Sequence, residues 1–141
     1  MANRTFFPAS SLDRSTVVLH GHVQIGATGA LSNKDCNGFD IARTGTGAYT
    51  ITLDDEYPLS TANYVAAGVN TSPLLNLVIT PLDAGTRLFG MWTIVSQTVA
   101  TDGKINIIFD TSANTPADPN NGARLRISIF LKNSSTPRKG M

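Results

Sequence analysis

Cysteine is almost absent from this chain: Cys36 is the single one in 141 residues. One thiol cannot build an internal disulfide framework, so any core must be held by burial alone. Charge is also scarce. Asp, Glu, Lys and Arg make up 15% of the residues and leave a net charge of only +1, below the roughly 25% usual in soluble domains. A near-neutral chain raises no large one-signed field, which argues against wrapping DNA or RNA. No apolar run approaches the ~18 residues of a membrane span. The start, Met1-Ala2-Asn3-Arg4-Thr5-Phe6-Phe7-Pro8, lacks the apolar stretch of a signal peptide. The expectation is a soluble protein made in the cytoplasm, with no nucleic acid or membrane as partner. Aromatics reach only 7%.

Thr, Ser, Asn and Gly fill the place of the missing charge. Such residues suit strands and turns, and an uncharged surface suits contact with another protein, because desolvating charge is costly. The periodic segments alternate with period two and are rich in Val, Ile and Thr, which predicts β-strands. Thr16 to Ile25 places Val17, Leu19, Gly21, Val23 and Ile25 on one face, and Val18, His20, His22 and Gln24 on the other. Leu31 to Asn33 adds a short strand. Gly38 to Arg43, the glycine-rich Thr44-Gly45-Thr46-Gly47 and Ala48 to Leu53 read as a hairpin. Asn63 to Val69 alternates too. Leu75 to Leu82 does so less cleanly, and Pro81 marks its end or a sheet edge. Arg87 to Gln97 is apolar on both sides, with Leu88, Trp92 and Ile94 against Phe89, Met91 and Val95. That pattern predicts a central strand or a subunit contact. Lys104 to Asp110 follows the Asp102-Gly103 turn. An irregular loop spans Ser112 to Gly122, and Arg124 to Lys132 alternates most cleanly, with Leu125, Ile127, Ile129 and Leu131 inward. The sum is one all-β domain over 15–132, an antiparallel β-sandwich or jelly roll of about eight strands. Extended arms flank it at 1–14 and 133–141.

No motif names a reaction. His20 and His22 share a strand face, but a catalytic zinc needs three protein ligands and a structural one four. Asp54, Asp55 and Glu56 form an acidic turn, and adjacent residues on a strand point apart, so paired-carboxylate chemistry is not expected. Gly45-Thr46-Gly47 lacks the Lys and the following helix of a phosphate loop. Cys36 has only Lys34 as a basic neighbour in sequence and reads as a structural thiol. Trp92, Tyr49, Tyr57 and Tyr64 could line a sugar-binding face, although Trp92 fits a core better. The sequons at Asn70 and Asn133 mark polar turns. Arg124, Arg126, Lys132, Arg138 and Lys139 make the C-terminal region basic. The expectation is no enzyme, no cofactor and no metal.

The stretch Asn37-Gly38-Phe39-Asp40-Ile41-Ala42-Arg43-Thr44-Gly45-Thr46-Gly47-Ala48-Tyr49-Thr50-Ile51-Thr52-Leu53, followed by an acidic turn and Tyr57-Pro58, resembles β-hairpins of small tailed-bacteriophage virion proteins. It is similar to Gly-Phe-x-Ile/Val followed by basic-x-Gly-x-Gly-x-Tyr-x-Ile/Val. Such hairpins also resemble one edge of trimeric jelly rolls of the complement and tumour-necrosis-factor type. The resemblance covers about 20 residues of generic turn and strand chemistry. It implies a virion β-sandwich that decorates or cements a capsid or forms part of a fibre, commonly as a homotrimer, with the major capsid protein or another virion protein as partner. It carries no catalytic residues. Phe89, Met91 and Val95 are then the expected subunit contacts, with Phe6, Phe7, Leu12, Arg138 and Lys139 as arm contacts. The rival expectation is a carbohydrate- or receptor-binding module of a tail fibre or adhesin, which needs exposed aromatics in a groove.

Overall fold

The computed structural model describes residues 16–54, 74–82, 92–99, 101–111 and 114–132. Eight strands are found among them: β1 (Thr16–Ile25), β2 (Leu31–Cys36), β3 (Phe39–Gly45), β4 (Ala48–Leu53), β5 (Leu74–Leu82), β6 (Trp92–Gln97), β7 (Lys104–Phe109) and β8 (Arg124–Lys132). They form two four-stranded antiparallel sheets, ordered β2-β1-β8-β5 and β3-β4-β7-β6. The two sheets pack face to face, an all-β arrangement consistent with a β-sandwich.

Alternation decides which side chains meet between the sheets. Leu19, Val23 and Ile25 of β1 lie beside Leu125, Ile127, Ile129 and Leu131 of β8, all buried. Ile41, Tyr49, Ile51, Ile105, Ile107 and Phe109 face them from the second sheet. Tyr49 and Phe109 meet edge to face, with ring centres 5.7 Å apart. The buried set is hydrophobic throughout, apart from the Tyr49 hydroxyl. At roughly 25 cal/mol per Å² of apolar surface, burial of these side chains is the main stabilising term.

The two sheets are also tied at one side. Lys34 of β2 donates to Asp40 Oδ1 (2.6 Å) and to the Ile41 carbonyl (3.3 Å). This bond to Lys34 holds the Asp40 carboxyl below the ordinary carboxylate range.

Six strands have the ranges expected from sequence to within a residue or two: β1, β3, β4, β5, β7 and β8. Others differ. β2 runs on from Asn33 to Cys36 because β1 supplies partners as far as Gly21. Among the described strands β5 ends its sheet, as Pro81 suggests, since an end strand tolerates a missing N–H. The two-sided apolar segment does not lie centrally: among the described strands β6 ends the second sheet. Its inner residues Trp92 and Ile94 are only half-buried, and a bulge between Ile94 and Ser96 leaves Val95 63% exposed. The candidate strand Asn63 to Val69 lies outside the described residues.

Candidate functional site

Three local arrangements stand out. The first closes one end of the molecule. The turn after β1 brings the Gly29 carbonyl inward, the β3–β4 hairpin supplies Arg43, Gly47 and Tyr49, and the loop before β8 supplies Asp118. Arg43 grips the Asp118 carboxylate with both arms of its fork, at 2.9 Å (Nε to Oδ1) and 2.7 Å (Nη2 to Oδ2). The Gly47 N–H donates to the same Oδ1 at 2.9 Å. The buried Tyr49 hydroxyl donates to the Gly29 carbonyl at 2.8 Å and lies 3.3 Å from Asp118 Oδ1. Bonding to Arg43, aided by Gly47, holds the Asp118 carboxyl below its ordinary range against the opposing effect of burial. Burial, and then the neighbouring Asp118 charge, push the Tyr49 phenol up. A carboxylate held ionised and saturated with donors, beside a phenol held neutral, is suited to fastening three connections together. It is a poor proton donor or acceptor for chemistry.

The second arrangement is the outer face of the second sheet. Ala42, Thr50, Asn106 and Ser96 form one rung across it; Ala48, Ile108 and Thr93 form the next. Thr50 Oγ1 donates to Asn106 Oδ1 (2.6 Å), and Asn106 Nδ2 donates to Ser96 Oγ (2.9 Å). These two rungs carry no charge, and the Thr50, Asn106 and Ser96 side chains of the first bond to one another. Burying such a face against a partner leaves few donors or acceptors stranded. Val95 stands at its edge.

The third is a cleft of about 320 Å³ on the outer face of the first sheet, lined by His20, Gly21, His22, Asp35, Arg126, Ile127 and Ser128. The register explains who meets there. His22 sits between Asp35 on β2 and Arg126 on β8, and His20 sits beside Ser128. His20 Nδ1 lies 3.0 Å from Ser128 Oγ. His22 Nδ1 is 4.0 Å from Asp35 Oδ2, with both side chains exposed. Beneath the floor, the Phe39 ring packs so closely under Gly21 that a Cβ there would come within 2.7 Å of Cζ.

The residues expected from sequence are distributed as follows. Val95 is exposed. Phe6, Phe7, Leu12, Phe89, Met91, Arg138 and Lys139 lie outside the described residues, as do Tyr57 and Tyr64. His20 and His22 do share a face, but no group of three metal-binding side chains occurs among the described residues. Tyr49 is fully buried and Trp92 packs partly against the core, so neither offers the ring face a sugar groove was expected to use. Asp54 is an exposed turn residue.

Cys36 turns inward opposite Gly21 and is half-buried. Burial, reinforced by the Asp40 and Asp35 charges, raises its pKa. Less thiolate means slower alkylation. The native chain should react with a disulfide reagent at least ~10-fold more slowly than the chain in urea. Equal rates would show an open, ordinary thiol.

Sequence reading missed the Arg43–Asp118–Tyr49 cluster and the Thr50–Asn106–Ser96 ladder. Asp118 lies in a loop without period, and 75 residues separate it from Arg43. The one sequence signal for the ladder is that Thr50 and Asn106 fall on the outward parity of their strands.

Compared with protein-family models, with curated proteins and with solved structures, the chain matches none.

Proposed function

We propose that this protein is a structural component of a tailed-bacteriophage virion, a capsid decoration (cement) protein without catalytic activity. In this reading it is a jelly-roll homotrimer that binds the assembled shell through its terminal arms. The observation that carries it is the pair of uncharged rungs on the outer face of the second sheet, bounded by the charged Asp40–Thr52–Lys104 rung, with the Thr50–Asn106–Ser96 ladder and Val95 exposed at the edge. Interface centres are depleted in charge, and homo-oligomer interfaces most of all. The opposite outer face, with His20, His22, Asp35, Arg124 and Arg126, is the one suited to water. The hairpin resemblance supports the virion setting. Thr16 and Lys132 are register partners, so the two ends of the described sheet lie side by side, which supports a shared attachment surface for the two arms. Weak contacts repeated by symmetry add up to firm attachment.

Light scattering tests this. The purified chain should have a multiple of the 14.9 kDa chain mass. Val95→Glu should reduce it toward one chain, with the β-type circular dichroism unchanged, since Val95 is not in the core. A wild-type chain that is monomeric and does not co-sediment with capsids would end the proposal.

A further inference from the structure

We propose that the cleft on the outer face of the first sheet is a binding site for a single sugar ring, recognised through its hydroxyls and not by stacking on an aromatic ring. This site is on the face opposite the proposed subunit contact and does not depend on it. The chemistry of its lining carries the inference. On one rung Asp35 supplies an acceptor only, Arg126 supplies donors only, and His22 between them can do either. On the neighbouring rung His20 and Ser128 share one hydrogen bond through Nδ1, which leaves the His20 Nε2 for a ligand.

A sugar hydroxyl both donates and accepts. Hydroxyls on the two sides of one ring can therefore give a hydrogen to the Asp35 carboxylate and take one from the Arg126 guanidinium. A simple anion gains from Arg126 and loses to Asp35, whose formal charges cancel, so the cleft has no strong preference for negative charge. A metal ion lacks a third ligand among the described residues. Size agrees as well. Asp35 and Arg126 are two strand spacings apart, roughly 9.5 Å between backbones, which spans one ring with a hydrogen bond at each side. The 320 Å³ volume lies at the small end of ligand sites. The Phe39 ring beneath Gly21 supports the backbone floor of the cleft.

The test uses the full, isotope-labelled chain and amide chemical shifts. The probes are glucose, galactose and N-acetylglucosamine, with sodium sulfate as a separate arm. At least one sugar should give saturable shifts confined to residues 20–22, 35 and 126–128. Arg126→Ala and Asp35→Asn should each weaken that binding by about 10-fold, the usual effect of losing one hydrogen bond to a charged group. Thr93→Ala, on the opposite face, should leave it unchanged and controls for folding. No saturable shift with any of the three sugars at tens of millimolar would overturn the proposal. So would sulfate binding in their place, or equal binding by wild type, Arg126→Ala and Asp35→Asn.

Discussion

Gly47→Ala is expected to destabilise the protein by about 3 kcal/mol or more, whereas Gly122→Ala should cost only about 1 kcal/mol. Both glycines have positive φ, +69° and +88°, so both substitutions carry the backbone penalty of a left-handed residue. They differ in what surrounds them. A Cβ on Gly47 would lie 2.6 Å from the Phe109 carbonyl oxygen and 2.7 Å from the Ala117 nitrogen. Both are backbone atoms, and neither can swing aside. Those atoms are themselves bonded: the Phe109 N–H donates to the Gly47 carbonyl (2.8 Å), and the Ala117 N–H donates to the Phe109 carbonyl (2.9 Å). Relieving the clash therefore means breaking the strand–loop junction. Around Gly122 nothing lies within 4 Å of such a Cβ. Urea unfolding of the two variants measures the difference. Equal losses would show that the hairpin tip and the loop are not packed as described.

Asp118→Ala should cost about 2–3 kcal/mol, a fall of roughly 6–10 °C in the unfolding midpoint for a chain of this size. The carboxylate accepts from Arg43 twice and from the Gly47 N–H. Its side chain is only 18% exposed and that of Arg43 31%, so water compensates the loss poorly, although more than in a sealed core. Arg43→Ala should cost less, because Asp118 keeps the Gly47 bond. The double variant should lose less than the sum, as expected for partners in direct contact. A midpoint change under 2 °C for Asp118→Ala would show that the cluster is ornamental.

The same carboxylate makes the fold sensitive to acid. Its native pKa is lowered by Arg43, so the unfolded chain takes up this proton first. Stabilisation by Asp118 is complete above the unfolded value, about 3.9, and disappears as pH falls through the lower native value. Below that range wild type and Asp118→Ala should converge in stability.

Most strands were legible in the sequence because one face is buried, and burial on one face writes itself as period two; β2, with no fully buried residue, was legible only in part. β8 shows this best, with Leu125, Ile127, Ile129 and Leu131 all buried. Of the two positions that the two-sided apolar pattern of the β6 segment allowed, the central one does not hold among the described strands, where β6 ends its sheet. The functional arrangements were less legible because each joins residues that pairing, and not proximity in sequence, brings together. His20 and His22 were visible as a pair. Their partners Asp35, Arg126 and Ser128 follow only from the order β2-β1-β8. Asp118 could not be found at all by pattern, since its role depends on where a loop without period comes to rest.

The register of Thr16 with Lys132 has a topological consequence. The path from β1 to β8 is nearly a closed ring, because its two ends meet as adjacent rungs of one ladder, separated by about the width of a strand pair. A short turn joining them would leave every pairing in place, and the ring could then be cut elsewhere, for instance at the exposed turn residue Thr46. The linear order of strands is thus one of several cyclic permutations that encode the same two sheets. What must be preserved is which strands are neighbours, not where the chain starts.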